Sequence, residues 1–299
     1  HDVGELEIRV AERAKVAYLN VLSAERLVQV GEEDVRERQQ IERKSSEFFE
    51  VGLNSKLELD LAQVGVRSAE LALAQVRDDE QAAWAELFTA LGESEGPDYQ
   101  LVEPELQLVA PGDLAAAIDQ ALVNREDLRS MRAQVQAQEQ RVLYAQSLRR
   151  PFLAAVFTGG YARFPTLTAS ELTSTGVGLF APLYTGGGLE AQIRTEQHNL
   201  EAIHGQYASE VLAVRNEVSR YRAAFLKAFE SAEGNQQLAI YAEEALRLAR
   251  TRYQVQLTSF VEMITAEDAT ELARASYAQA LYGYQIARAH LDAAMGLRP

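Results

Sequence analysis

The chain has 299 residues, 47% of them hydrophobic, no Cys and a formal charge of −15. That length suffices for a sizeable core or for one very elongated structure. The missing Cys excludes disulfides, thiolate chemistry and lipidation of a Cys in this stretch, and the acidic balance disfavours nucleic acid, whose binders carry a basic face. No apolar run reaches the roughly 18 residues of a transmembrane helix. No signal peptide is visible. His1 is not a translation start, so a processed or trimmed N-terminus is expected and a periplasmic or surface address stays open.

From about Leu6 to Phe49, apolar and small residues fall at Val10, Ala14, Ala17, Val21, Ala24, Val28, Gly31 and Val35. Steps of four and three alternate, which predicts one long helix with a heptad seam. Small residues alternate with Val, so the helices should pack closely. The pattern breaks at Phe49–Ser55. Gly52 and Asn54 suit left-handed backbone, and Ser55 with Glu58 predicts a capping box that starts a second long helix. Its seam is Ala62, Val66, Ala69, Leu73 and Val76, and Gly92 ends it. Two long helices joined by a few residues form an antiparallel hairpin.

Glu93–Gly112 holds three of the seven prolines and reads as a connector. Asp113 caps a short helix to about Val123. Another helix, from Arg125 or Glu126, carries Leu128, Met131, Val135 and Val142 towards Leu148. The helical period then disappears. Phe152–Phe164 and Thr173–Tyr184 read as strands, with the Ser/Thr-rich Pro165–Ser174 as the link between them. Each strand is long enough to cross a bilayer, which takes about 9–11 tilted residues. Gly186, Gly187 and Gly188 form a strand-to-helix hinge. The longest helix follows, from Leu189 to about Arg252, with Leu200, Ile203, Tyr207, Val211, Val214, Val218, Tyr221 and Phe225 in its seam. Gly234-Asn235 is expected to interrupt it. After a break at Tyr253–Ser259, a last helix runs to about Met295, and Gly296 ends it.

The chain repeats itself. Shifted by 204 residues, Phe49–Gly92 lies on Tyr253–Gly296 without a gap. Val51 meets Val255, Leu53 meets Leu257, Ser55 meets Ser259, Glu58 meets Glu262 and Gly92 meets Gly296. A shared heptad explains matched Ala and Leu; it does not explain a shared break, cap and terminal Gly in register.

These features resemble the TolC-like family of bacterial outer-membrane efflux proteins. The resemblance rests on the stretch DLAAAIDQALVNREDLRSMRAQVQAQEQRVLYAQSLRRP before the first strand, on GVGLFAPLYTGGGLEAQI leading out of the second, and on the twin turns FEVGLNSKLEL and YQVQLTSFVEM. It implies a mainly α fold of long antiparallel coiled-coil hairpins, α-barrel type, with one β-hairpin contributing to an outer-membrane β-barrel. It implies a homotrimer projecting into the periplasm, in contact with outer-membrane lipid. The chain would be a passive exit duct working with a periplasmic adaptor (membrane fusion) protein and an inner-membrane pump. The organisation expected is a long helical hairpin over 1–92, a connector and short helix over 93–123, a lead-in helix over 124–149, a β-hairpin over 150–188 and a second long hairpin over 189–299. The family's two halves each carry a lead-in helix and hairpin strands; here the first half begins at its post-hairpin helix. A piece of a longer two-hairpin protein, or a shortened relative, is expected. Two strands per subunit give only six in a trimer, fewer than the resemblance calls for in a closed barrel.

The resemblance also assigns sites. The exposed apolar tip of each turn, Val51, Gly52 and Leu53 with Val255, Gln256 and Leu257, would dock the adaptor; Gln256 departs from the Gly of the first copy. Glu58 and Glu262 would form an acidic ring at the pore entrance with Tyr253 beside them. Thr258 stands where some relatives have Arg. Read locally, Val and Leu staple helix ends and each Glu completes a capping box. No catalytic constellation, cofactor motif or metal set appears. His198 and His204 are six apart on one helix, so they share no face and read as solvated. Gly186–Gly188 lacks the Lys-Ser/Thr of a phosphate loop. The heptads alone would equally suit a soluble coiled-coil scaffold or adaptor.

Overall fold

The computed structural model describes residues 2–93, 99–104, 107–164 and 167–298, without the side chains of 2–3 and 161–172. The elements are α1 (Asp2–Glu50), α2 (Lys56–Leu91), α3 (Leu114–Asn124), α4 (Glu126–Ser147), β1 (Phe152–Phe164), β2 (Leu167–Phe180), α5 (Gly188–Gln254) and α6 (Phe260–Ala294). Two compact units divide the chain. One is His1–Glu126 with Val214–Pro299; the other is Asp127–Ala213.

In the first unit α1 packs on both α2 and α6. Its small seam residues allow this. A side chain at Gly31 would stand 3.3 Å from Leu73, so the α1 and α2 backbones approach closely there. Ala17 and Val21 pack on Leu87 of α2, while Leu19 and Leu22 pack on Tyr282 of α6. The α5–α6 joint is built from larger groups. Phe225 meets Tyr284 at 5.1 Å between ring centroids, and Tyr221 stacks on His290 at 5.7 Å. The connector is tied down by hydroxyls. Tyr18 donates to the Val102 carbonyl, Tyr282 donates to Glu103 at 2.8 Å, and the Tyr284 hydroxyl accepts from the Val109 amide at 2.9 Å. Arg222 of α5 reaches the Gly112 carbonyl at 2.9 Å.

In the second unit Gln138 of α4 is buried and donates to the Glu196 carboxylate of α5 at 2.6 Å. Val142, Ala145 and Ile193 are buried in the same unit. β1 and β2 form one antiparallel ribbon, with Leu153 opposite Leu179, Ala155 opposite Val177 and Phe157 opposite Thr175. Directly opposed residues share a face. One face therefore carries Leu153, Ala155, Phe157, Val177 and Leu179. The other carries Phe152, Ala154, Val156, Gly176, Gly178 and Phe180, with Phe152 stacked on Phe180 at 5.5 Å.

Three sequence expectations are corrected. β2 runs over Leu167–Phe180, so 167–174 of the expected link is strand and 181–184 is not. Thr and Ser in this stretch act as strand residues on the ladder, and Pro182, without an N–H, cannot extend it. Pro165 and Thr166 lie outside the described residues. Gly234-Asn235 does not interrupt α5, which is continuous through it. Ala232 and Ala239 are buried on either side, and that packing outweighs the roughly 1 kcal/mol that Gly costs a helix. Val10 is exposed, so the buried seam of α1 starts later, at Ala17.

Candidate functional site

The twin turns share one backbone. At the first, the Gly52 amide donates to Phe49 O at 3.0 Å and the Leu53 amide to Phe48 O at 2.8 Å. At the second, Gln256 donates to Tyr253 O at 3.0 Å and Leu257 to Arg252 O at 2.8 Å. Both are Schellman motifs, which need a left-handed residue just past the helix. Gly52 supplies it at φ 76° and Gln256 at φ 58°. Each turn then enters a capping box. The Ser55 hydroxyl accepts from the Glu58 amide while the Glu58 carboxylate accepts from the Ser55 amide, and Ser259 and Glu262 repeat this. Thr258 adds a hydroxyl hydrogen bond to Glu262.

The two turns lie side by side. Ala62 of α2 packs with Phe260 and Met263 of α6, and Tyr253 and Ile41 border that cluster. Tyr253 stands against Phe260 at 5.7 Å. Burial raises the Tyr253 pKa first and the charge of Glu58 raises it further, against a hydrogen bond from Asn54. The structure thus brings Tyr253 to Glu58 across the two copies. The tip residues stay in water: Val51 is 68% exposed and Leu53 72%, with Val255 and Leu257 similar. They do not staple the helix ends. Gly186 and Gly187 take left-handed backbone at φ 60° and 80°, and Gly188 opens α5, so the expected hinge is a tight turn.

Sequence reasoning missed a charged network between the turns and the apolar upper seam. Arg38 of α1, 8% exposed, donates through Nε to both Asp34 oxygens at 2.9 Å, and through Nη2 to Asp268 at 2.9 Å and Glu271 at 2.8 Å on α6. Arg250 of α5 binds Glu267 at 2.8 Å and Glu37 at 2.7 Å, and Arg274 binds Glu243 at 3.0 Å. Burial pulls the Arg38 pKa down, but the hydrogen bond to Asp268 and the charge of Asp34 outweigh it, so the pKa is raised. A signal existed: continued past Val35 by three, the α1 seam lands on Arg38.

His198 is exposed beside Glu201, and His204 is exposed. His290 is different, with Nδ1 2.6 Å from Glu12. Among the described residues no cluster of three or more metal-ligating side chains occurs. No helix among them is long and apolar enough to cross a membrane.

Residues 117–297 match the family model described as outer membrane efflux protein. The chain belongs to the outer membrane efflux proteins. Solved structures agree in fold. A membrane protein from Pseudomonas aeruginosa is similar at 20% identity and TM-score 0.75, over 98% of this chain and 69% of that one. The outer-membrane channel OprN is similar at 18% identity and TM-score 0.77, over 99% and 67%. The outer membrane protein VceC from Vibrio cholerae is similar at 18% identity and TM-score 0.70, over 97% and 70%. The efflux protein thus spans about two thirds of the length of these relatives. No curated protein sequence matches it. Family membership makes it an outer-membrane efflux protein and displaces the scaffold alternative. The family and the solved relatives are channels, not enzymes.

Proposed function

We propose that this efflux protein works as a passive exit duct in a homotrimer, meeting a periplasmic adaptor at its twin turns and, through it, an inner-membrane pump. The observation that carries the assembly is the order of helices in the first unit. α1 packs along α2 and α6, and α6 meets α5, so above the cluster at the turns α2 and α5 are the two flanks. Each flank carries an apolar stripe turned away from its own partner helix. On α2 it is Leu57, Val64 and Leu71, spaced by seven and two residues from the buried seam; on α5 it is Leu238, Tyr241 and Leu248. An unpartnered heptad stripe on each flank suits a ring closed by further copies of the same chain. Leu71 lies sixteen residues past Ser55, and Leu238 sixteen before Gln254, so the two stand at equal height above the turns.

The face of the ribbon with Leu153, Phe157, Val177 and Leu179 suits lipid, and the opposite face, where Ala154, Gly176 and Gly178 leave room between Phe152, Val156 and Phe180, is left for the lumen. The exposed tips supply the adaptor contact, and Glu58 and Glu262 supply an acidic ring near Tyr253. The chain has no Cys, so a Leu71→Cys, Leu238→Cys variant of the membrane-extracted protein tests the assembly without background. Mild oxidation should give covalent dimers and trimers. A product that stays monomeric would remove the α2–α5 closure.

A further inference from the structure

The charged joint between α1 and α6 holds more acid than base. Asp34, Glu37, Glu243, Glu267, Asp268 and Glu271 surround only Arg38, Arg250 and Arg274. α1 contributes Asp34, Glu37 and Arg38; α6 contributes Glu267, Asp268, Glu271 and Arg274; α5 contributes Glu243 and Arg250. Among the described residues α2 adds no ion pair to this set, and it turns Gly65 towards the Arg38 guanidinium, where a side chain would stand 3.2 Å from it. Six carboxylates against three guanidiniums leave three negative charges unmatched. The most enclosed of the acids that Arg38 holds is Asp34, 9% exposed, and the same guanidinium grips Glu271 on the facing helix.

We propose that this joint is a proton-linked clasp: when α1 and α6 are closed, Asp34 holds a proton that it donates to Glu271 while Arg38 grips both, and the joint loosens as that proton leaves. Two carboxylates drawn to one guanidinium repel each other unless one is neutral, and a shared proton turns the repulsion into a hydrogen bond. Burial acts in the same direction, since it disfavours the charged acid. Together they push the Asp34 pKa up to about 6, burial contributing most, Arg38 opposing, and the charge and hydrogen bond of Glu271 adding to the rise. An acid whose pKa is raised in the closed joint favours closure most fully below its ordinary value of 3.8, and this is lost as pH climbs through about 6. A change of that size shifts the balance of closed over open by roughly a hundredfold across the window. The clasp is placed to matter. It lies between the cluster around Phe260 and Met263 at the turns and the one around Leu19 and Tyr282 above. It also joins the first copy of the repeat to the second, so movement of one hairpin against the other must part it.

Hydrogen–deuterium exchange of the full chain in detergent, corrected for intrinsic amide rates, tests this between pH 5 and 8. Amides of 31–41 and 264–274 should gain about tenfold protection as pH falls from 8 to 5. Asp34→Asn, which stays neutral and still hydrogen-bonds, should hold protection flat. Glu271→Gln serves as the second variant where Asp34→Asn folds poorly, and a carbon-13 titration of the wild-type Asp34 carboxyl should show a midpoint near 6. Flat protection in the wild type, a wild-type slope retained in either variant, or an Asp34 midpoint near 4 would overturn the proposal. None of these readouts depends on transport.

Discussion

Gly52 and Gln256, 204 residues apart, hold the same left-handed backbone at the same point of the same turn. The first copy uses the residue that takes this conformation without cost. The second forces a residue with a Cβ into it, at about 1–2 kcal/mol. Gln256→Gly should therefore stabilise the protein by about 1 kcal/mol, after allowing for the extra freedom Gly gains when unfolded. Thermal loss of helical signal in detergent should shift up by about 2 °C. Gly52→Ala should move it down. No atom lies within 4 Å of a Cβ at Gly52, so the loss reports backbone strain and not a clash.

Much of this fold was legible because helices advertise their ends. Ser55, Asp113 and Gly92 each sit where the sequence placed them, and both capping boxes form as spacing required. The repeat added what local propensity cannot, since it located the second turn from the first. The ribbon was less legible. Ser and Thr are common to loops and strands, and only the ladder from Phe164↔Leu167 to Phe152↔Phe180 decides between them. The seam pointed to Arg38, but its partners were hidden for a different reason. Its side chain reaches two acids 230 and 233 residues away, and no local pattern reports such partners.

Tyr284 is fully buried, yet its hydroxyl makes three bonds to the connector, accepting from the Val109 amide and donating to the Val109 carbonyl at 3.0 Å and, more weakly, to the Gln107 carbonyl at 3.4 Å. Tyr284→Phe keeps the ring against Phe225 and removes only these bonds. It should cost about 1–3 kcal/mol by leaving connector groups unpaired. The connector around Val109 should be nicked faster by a non-specific protease, while the helix ends at Gly92 and Gly296 keep their protection. An unchanged cleavage rate would mean that Arg222 and Tyr282 hold the strap without it.

The adaptor contact is testable at Leu53 and Leu257. Both are exposed, so a charge there costs the isolated fold little. Buried in an apolar docking surface, the same charge would go unpaired. Leu53→Glu with Leu257→Glu should weaken adaptor binding at least tenfold, about 1.4 kcal/mol, while the trimer survives. A binding titration with the isolated adaptor reads the change. Equal affinity would show that the tips stand clear of the interface.

The acidic ring rests on Glu58 and Glu262, and here one substitution separates two roles. Each carboxylate caps its helix by accepting from the Ser55 or Ser259 amide. Gln at that position also completes a capping box, so Glu→Gln removes the charge and keeps the turn. The lost interaction with the helix N-terminus is worth less than about 1 kcal/mol at an exposed site. Three chains would bring six carboxylates to one constriction, where they attract cations and exclude anions. Tyr253, close enough to Glu58 for its pKa to be raised by that charge, would border the same opening. In the full-length channel, Glu58→Gln with Glu262→Gln should move the reversal potential in a salt gradient towards zero in planar-bilayer recordings. Helical signal and trimer should be unchanged, which assigns the effect to charge and not to unfolding of the turns. A reversal potential equal to that of the unmodified channel would leave both glutamates with the cap alone and put the selective constriction elsewhere along the duct.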